Sequence, residues 1–200
     1  MNAIRENRRH DLLRSAAHLF RTKGFSRATI RDLARAVELQ SGSIFHYFDS
    51  KQDILFAVME DAINLSITRL EQALECADGI RASLGALIRA ELSAIHDDET
   101  RDGMEVAFYE WDNLSAENQT ILRRLREQYE SIWMTHIQEA KDQGLIQMDP
   151  FILRRLLTGA LAWTVKWYTP DGPMDMDSLA QDALTLALGK TIEDGASACR

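Results

Sequence analysis

Three features of the 200-residue sequence predict an all-α fold. Its three prolines stand at positions 150, 170 and 173, so no proline interrupts the first three-quarters of the chain. No segment sustains the two-residue alternation of β-branched residues that marks a strand. Instead apolar residues recur at i, i+3, i+4 and i+7, the spacing of one buried helix face.

The first helix is expected from about Ile4 to Thr22, with Leu12, Leu13, Ala16, Ala17 and Phe20 on one stripe and Gly24 as its stop. A second begins at Thr29, where Thr29-x-x-Asp32 forms a capping-box-like pair ahead of Ile30, Leu33, Ala34 and Val37. Glu38-Leu39-Gln40 reads as a turn plugged by Leu39. A short third helix follows over about Ser41 to Phe48, with Ile44, Phe45 and Phe48 directed inward. Ser50-x-x-Asp53 is a second capping pair. It starts a long fourth helix whose stripe runs from Ile54 and Leu55 through Ile67 and Leu70 to Leu74. Five more helices are expected at about 80–97, 101–113, 115–143, 150–168 and 175–190, about nine in all. Gly144 is the natural stop of the seventh. The eighth, PFILRRLLTGALAWTVKWY, is apolar nearly all round after Arg155, and the ninth is Leu/Ala-rich on several faces. A helix apolar on two faces must bury both, against its own core or against a second subunit.

Charge divides the chain in two. Residues 1–48 hold nine Arg/Lys against four Asp/Glu, a net +5, and residues 49–200 hold fourteen against twenty-seven, a net −13. Attraction to phosphate acts over about one Debye length, roughly 8–10 Å, so the local basic patch outweighs the acidic total. The cysteines, Cys76 and Cys199, match no metal or redox spacing and fit a reducing compartment. The N-terminus has no apolar h-region, and no apolar run approaches the ~18 residues of a membrane helix. A cytoplasmic protein is the expectation.

Residues 27–51, RATIRDLARAVELQSGSIFHYFDSK, carry the chemistry. Their polar face presents Arg27, Thr29, Arg31, Arg35, Ser41, Ser43, His46, Tyr47 and Lys51 around two short helices and a tight turn. The major groove admits one helix, which must be held rigidly by a partner. Ser41, Gly42 and Ser43 are small enough to let the backbone of the third helix approach the bases. The helix starts at Thr29 and Ser50 are placed as phosphate clamps, with Lys51 adding a full charge. A plain three-helix bundle with a solvated polar face is the competing reading.

The segment Ala34–Leu55, with Gly42, His46-Tyr47-Phe48 and Ser50-Lys51, resembles the DNA-binding signature of the TetR transcriptional regulators, as do Thr29 and the Gly24-Phe25 turn. The resemblance covers roughly residues 8–56; beyond that it rests on length and helical character. It implies a helix-turn-helix DNA-binding domain over 1–49 and an effector-binding and dimerisation domain over 50–200. Tyr47, Lys51 and Thr29 would contact phosphates. Gln40, Ser41, Ser43 and His46 would contact bases or allow close approach. Three positions depart from the family pattern. Glu38 replaces the turn glycine, Gln40 replaces the serine before the third helix, and Phe45 replaces a tyrosine. The resemblance also implies a homodimer through helices 8 and 9, a palindromic double-stranded operator, repression as the commoner mode, and a ligand pocket among helices 6, 7 and 8.

Aromatics and methionines concentrate in the second part. Met104, Phe108, Trp111, Tyr129, Trp133, Trp163 and Trp167 are its candidate pocket residues. Residues 163–173, WTVKWYTPDGP, are similar to a stretch in a family branch that senses acyl-CoA or lipid-like metabolites. That points to an apolar or acyl-CoA-like effector and makes Arg89, Arg123 and Arg124 candidates for CoA phosphates. No cofactor is expected. An enzyme is disfavoured, because the chain lacks His-Glu-x-x-His, a glycine-rich phosphate loop and Gly-x-Ser-x-Gly. His96-Asp97-Asp98 and the acids Glu105, Glu110 and Asp112 read as solvated faces. A small helical enzyme or an interaction bundle that binds no DNA is the alternative. The fourth helix, the long element joining the two parts, is the expected lever between effector and DNA.

Overall fold

The computed structural model describes residues 2–189, side chains of 2–6 and 99 excepted. Lys190, the expected last residue of the ninth helix, and Cys199 lie outside them. Within the described residues the chain forms nine α-helices: α1 Asn2–Lys23, α2 Ile30–Ala36, α3 Ser41–Ile44, α4 Lys51–Glu75, α5 Ile80–His96, α6 Asp98–Tyr109, α7 Ala116–Asp142, α8 Pro150–Trp163 and α9 Met176–Leu188. Short 3-10 turns follow α6 at Trp111–Asn113 and α8 at Thr164–Lys166. No described helix is long and apolar enough to cross a membrane.

The punctuation is local chemistry. Gly24, at φ +83°, ends α1. Thr29 caps α2 with extended backbone: its hydroxyl accepts the Asp32 N–H at 3.1 Å, and the Asp32 carboxylate accepts the Thr29 N–H at 3.0 Å. Ser50 accepts the Asp53 N–H at 3.2 Å ahead of α4. Asp149 and Asp175 cap α8 and α9 by accepting the amides of Ile152 and Ser178. Pro150 opens α8, where its missing N–H costs nothing.

The chain forms two compact units. The first comprises residues 2–69 and 94–130. Its core holds Leu12, Phe20, Leu33, Ile44, Leu55 and Met59. α4 and α6 pass very close inside it: a Cβ added to Gly103 would lie 2.7 Å from the Ala62 Cβ. The second unit comprises 70–93 and the described residues from 131. It is built around Leu87, Ile88, Trp133, Leu157 and Leu184. By contacts, then, α1–α3 share a unit with α6 and the first half of α7, and the chain passes between units within α4, α5 and α7.

The ends of α3, α6 and α8 differ from expectation for the same reason. The third helix is α-helical only over Ser41–Ile44, after which His46 and Tyr47 donate to the carbonyls of Ser43 and Ile44 in tightened turns. α6 likewise stops at Tyr109 and tightens into the 3-10 turn. Phe45 is a correction: it is 53% exposed, not inward. Ile44 and Phe48, four residues apart, fill the inward stripe, and Phe45 is rotated off it by about 100°.

Candidate nucleic-acid interface

The turn between α2 and α3 closes tightly. Leu39 N–H donates to the Ala34 carbonyl at 2.8 Å and Ser43 N–H to the Gln40 carbonyl at 2.9 Å. Between them Glu38 takes φ +54°, the left-handed region a glycine adopts without a steric penalty. Leu39 is half-buried beneath it. Of the expected contact residues, Arg27, Thr29, Arg31, Gln40, Gly42 and His46 are exposed, while Ser41, Ser43, Tyr47 and Lys51 are half-buried. A Cβ added to Gly42 would meet nothing within 4 Å. Nothing inside the described fold therefore requires a glycine there; open space lies in front of it.

Several of these side chains already have work inside the fold. The Thr29 hydroxyl donates to Asp32 Oδ2 at 2.7 Å while accepting the cap amide. Arg27 Nε donates to the Lys23 carbonyl at 2.8 Å. The Lys51 ammonium donates to the carbonyls of Phe25 and Ala28 at 2.8 and 2.9 Å and lies 4.2 Å from the centroid of the Phe25 ring. Lys51 fastens the start of α4 to the loop before α2, using two of its three N–H donors.

The electrostatics of the head are partly neutralised within it. Lys23 pairs with Asp32 at 2.5 Å. The Lys23 ammonium, together with the Thr29 hydrogen bonds, holds the Asp32 carboxyl well below its ordinary value. On α6, Asp102 is buried and faces His18 Nδ1 at 2.9 Å and Arg21 Nε at 2.5 Å from α1, with Arg101 Nε at 3.7 Å. Arg27, Arg31 and Arg35 remain on the surface around α2. An open cleft of about 840 Å³ between α1, the turn and the start of α6 is lined by Arg14, His18, Glu38, Asp98, Arg101 and Asp102 among others. Its charged wall does not suit an apolar effector.

The expected pocket residues divide between the units. In the first, Met104, Trp111 and Tyr129 are half-buried and Phe108 is 68% exposed, its ring edge-on to Tyr109 at 5.0 Å. Arg126 lies over the Trp111 ring at 4.7 Å. In the second, Trp133 is fully buried beneath the Arg154 guanidinium at 4.3 Å, and its indole N–H has no hydrogen-bond acceptor among the described residues. Arg154, 1% exposed, donates to Glu91 at 3.1 Å, a buried ion pair between α8 and α5. Trp163 is 63% exposed and Trp167 is exposed beside it, on a stretch that also exposes Phe151, Ile152 and Leu156. Arg89 pairs with Asp177, and Arg123 and Arg124 are exposed. Among the described residues no group of three or more His, Cys, Asp or Glu could hold a metal ion.

Sequence reasoning missed two residues. Phe45 stands exposed on the recognition segment; its place one residue beyond Ile44 on the helical wheel was the available signal. Glu110, read as part of a solvated face, accepts the Phe25 N–H at 3.1 Å. That partner is 85 residues away, and no local pattern announces it.

Comparison with known proteins agrees with this geometry. Residues 12–58 match the model of the tetR family of bacterial regulatory proteins, and residues 77–191 match the tetracyclin repressor-like C-terminal domain. The HTH-type transcriptional repressor KstR2 of Mycolicibacterium smegmatis is 28% identical over 187 residues, 92% of this chain and 90% of that protein. Among solved structures, superantigen PfiT is 49% identical with a TM-score of 0.75, over 90% of this chain and 96% of that one. AibR, solved in complex with isovaleryl coenzyme A and operator DNA, shares the fold at 20% identity and a TM-score of 0.78, over 90% and 97% of the two chains.

Proposed function

Because the chain belongs to the TetR family of bacterial regulatory proteins, a family of DNA-binding transcriptional regulators, we propose that it represses transcription by occupying a palindromic double-stranded operator as a homodimer. On this reading it acts by binding rather than catalysis, in the cytoplasm. The observation that carries the reading is the exposed edge of α3: Gln40, Gly42 and His46 point away from the core, braced by the closed turn, with open space at Gly42. Base contact falls to Gln40, Ser41, Ser43 and His46, and Phe45 adds an apolar surface suited to a thymine methyl. Phosphate contact falls to Arg27, Arg31 and Tyr47, supported by their position around the two helix starts.

Dimerisation is assigned to α8 and α9. Phe151, Ile152, Leu156, Trp163 and Trp167 form an exposed apolar stretch of a kind that monomers rarely leave uncovered, and Leu186 on α9 is exposed as well. A two-fold dimer would set its recognition helices for half-sites roughly 34–36 Å apart. The effector is a small apolar or acyl-CoA-like molecule, for which Met104, Phe108, Trp111 and Tyr129 of the first unit are the proposed contacts. Two observations support it: the exposed aromatics of α6, and the isovaleryl coenzyme A held by the fold relative AibR. Binding shifts the operator-competent population only by the effector's differential affinity for the two states.

Selection of duplexes from a random pool, followed by gel shift at moderate salt, tests the reading. A two-fold-symmetric consensus is expected. Gly42→Ala should then weaken binding to it without lowering the unfolding temperature, since the fold has room for the methyl. Selection of no consensus at all would favour the interaction-bundle alternative.

A further inference from the structure

Phe25, 6% exposed in the loop between α1 and α2, has both of its peptide groups held by charged side chains from distant parts of the first unit. Its N–H donates to Glu110 Oε1 at 3.1 Å. Its carbonyl accepts from Lys51 Nζ at 2.8 Å. The ring packs edge-on against Phe20 at 5.3 Å, with the Lys51 ammonium over it. An acid at the end of α6 and a base at the start of α4 therefore hold the same residue.

The two arms are joined behind it. Glu110 Oε2 accepts Asn113 Nδ2 at 2.6 Å. The Asn113 carbonyl accepts Gln52 Nε2 at 2.6 Å, and Gln52 is the residue after Lys51. The path Phe25, Glu110, Asn113, Gln52, Lys51 and back to Phe25 is thus a closed ring of hydrogen bonds through one covalent step. Thr29, the cap of α2, stands four residues beyond Phe25, and Ala28 between them also accepts from Lys51. The placement of this loop fixes the placement of α2, and α3 is closed onto α2 by the turn bonds. Hydrogen bonds to ionised groups are about twice as strong as neutral ones, which makes the Glu110 arm a firm one.

We propose that Glu110 is a positioning residue for operator binding, acting from α6 through the Phe25 amide on the orientation of α2 and α3. This rests on the DNA-binding reading above. A residue that merely solvates the end of α6 would have no such effect. The alternative placement of the lever, in α4 alone, leaves Glu110 without a part in DNA binding.

The test compares Glu110→Ala and Glu110→Gln with the wild type on the duplex that the wild-type protein selects from a random pool. Unfolding temperature and amide exchange at residues 25–29 are measured on the same DNA-free samples. Glutamine keeps a carbonyl oxygen for the Phe25 N–H; alanine keeps none. Glu110→Ala is expected to weaken operator binding by about ten- to a hundredfold. It should also accelerate exchange at Phe25 and modestly lower the unfolding temperature, while Glu110→Gln, which keeps an acceptor for the Phe25 N–H but not for Asn113, should be impaired less on every measure. Wild-type operator affinity in Glu110→Ala overturns the proposal. So does equal impairment in Glu110→Gln, or Phe25 exchange that is unchanged in Glu110→Ala. Failure of the wild type to select any duplex would overturn the DNA-binding reading instead, a result separate from the exchange measurement.

Discussion

Glu38 holds a turn position with φ +54°, where a side chain crowds the following carbonyl and glycine does not. Glu38→Gly is therefore expected to stabilise the protein by about 1 kcal/mol, lessened by the greater freedom of glycine in the unfolded chain. Urea unfolding should show a raised midpoint with an unchanged slope. A lowered midpoint would mean that the Glu38 side chain makes compensating contacts. Phe45 gives a second prediction at this scale. Its ring is half in water, so Phe45→Ser should leave the unfolding temperature near wild type while altering which duplex is selected. The two capping pairs, Thr29 with Asp32 and Ser50 with Asp53, were legible in the sequence because each bond spans three residues. The partners of Lys51 and Glu110 lie 26 and 85 residues away, and only the folded chain brings them together.

At the scale of elements, the nine α-helices among the described residues were legible and their ends less so. Apolar periodicity continues smoothly past the points where α3, α6 and α8 tighten into turns, because it records which face is buried and not which hydrogen-bond pattern holds the backbone. Caps are better markers, and two of them carry a pH dependence. Asp32 is held well below its ordinary 3.8 by Lys23 and then by Thr29, and Asp175 is held below its ordinary value by the Ser178 amide. A carboxylate with a depressed folded value contributes stability that is present above the unfolded value and lost as pH falls through the folded one. The starts of α2 and α9 should therefore weaken on acidification. Asp32→Asn should lower the unfolding temperature at neutral pH, and the difference should narrow as pH falls below the ordinary carboxylate range. A constant difference as pH falls would place the effect of Asp32 outside its charge. The exposed apolar stretch of α8 gives the other test at this scale. If the proposed dimer forms through α8, Leu156→Arg should turn it into monomers in sedimentation at low concentration, with the helical content kept, because Leu156 is largely exposed within its own chain.

The molecule as a whole is acidic, at a net −8, yet its first 48 residues carry a net +5. This asymmetry, plain from the sequence, sets how operator affinity should respond to salt, while the internal pairing seen in the fold sets which cations contribute. Lys23 and Arg21 already face Asp32 and Asp102, and Lys51 is directed at two backbone carbonyls. Arg27 and Arg31 are exposed around α2, where phosphate can reach them. Each phosphate neutralised adds about 0.9 to the slope of log affinity against log salt. Arg27→Ala and Arg31→Ala should each weaken binding to all sequences alike and reduce that slope by about one. Lys51→Ala should behave differently. It removes the fastening of α4 to the α1–α2 loop, so its loss of affinity should come with a lowered unfolding temperature and faster amide exchange across residues 25–29. A reduced salt slope with unchanged stability would return Lys51 to the phosphate-contacting set. The two kinds of basic residue, alike in the sequence, are separated by measuring affinity against salt and stability on the same variants.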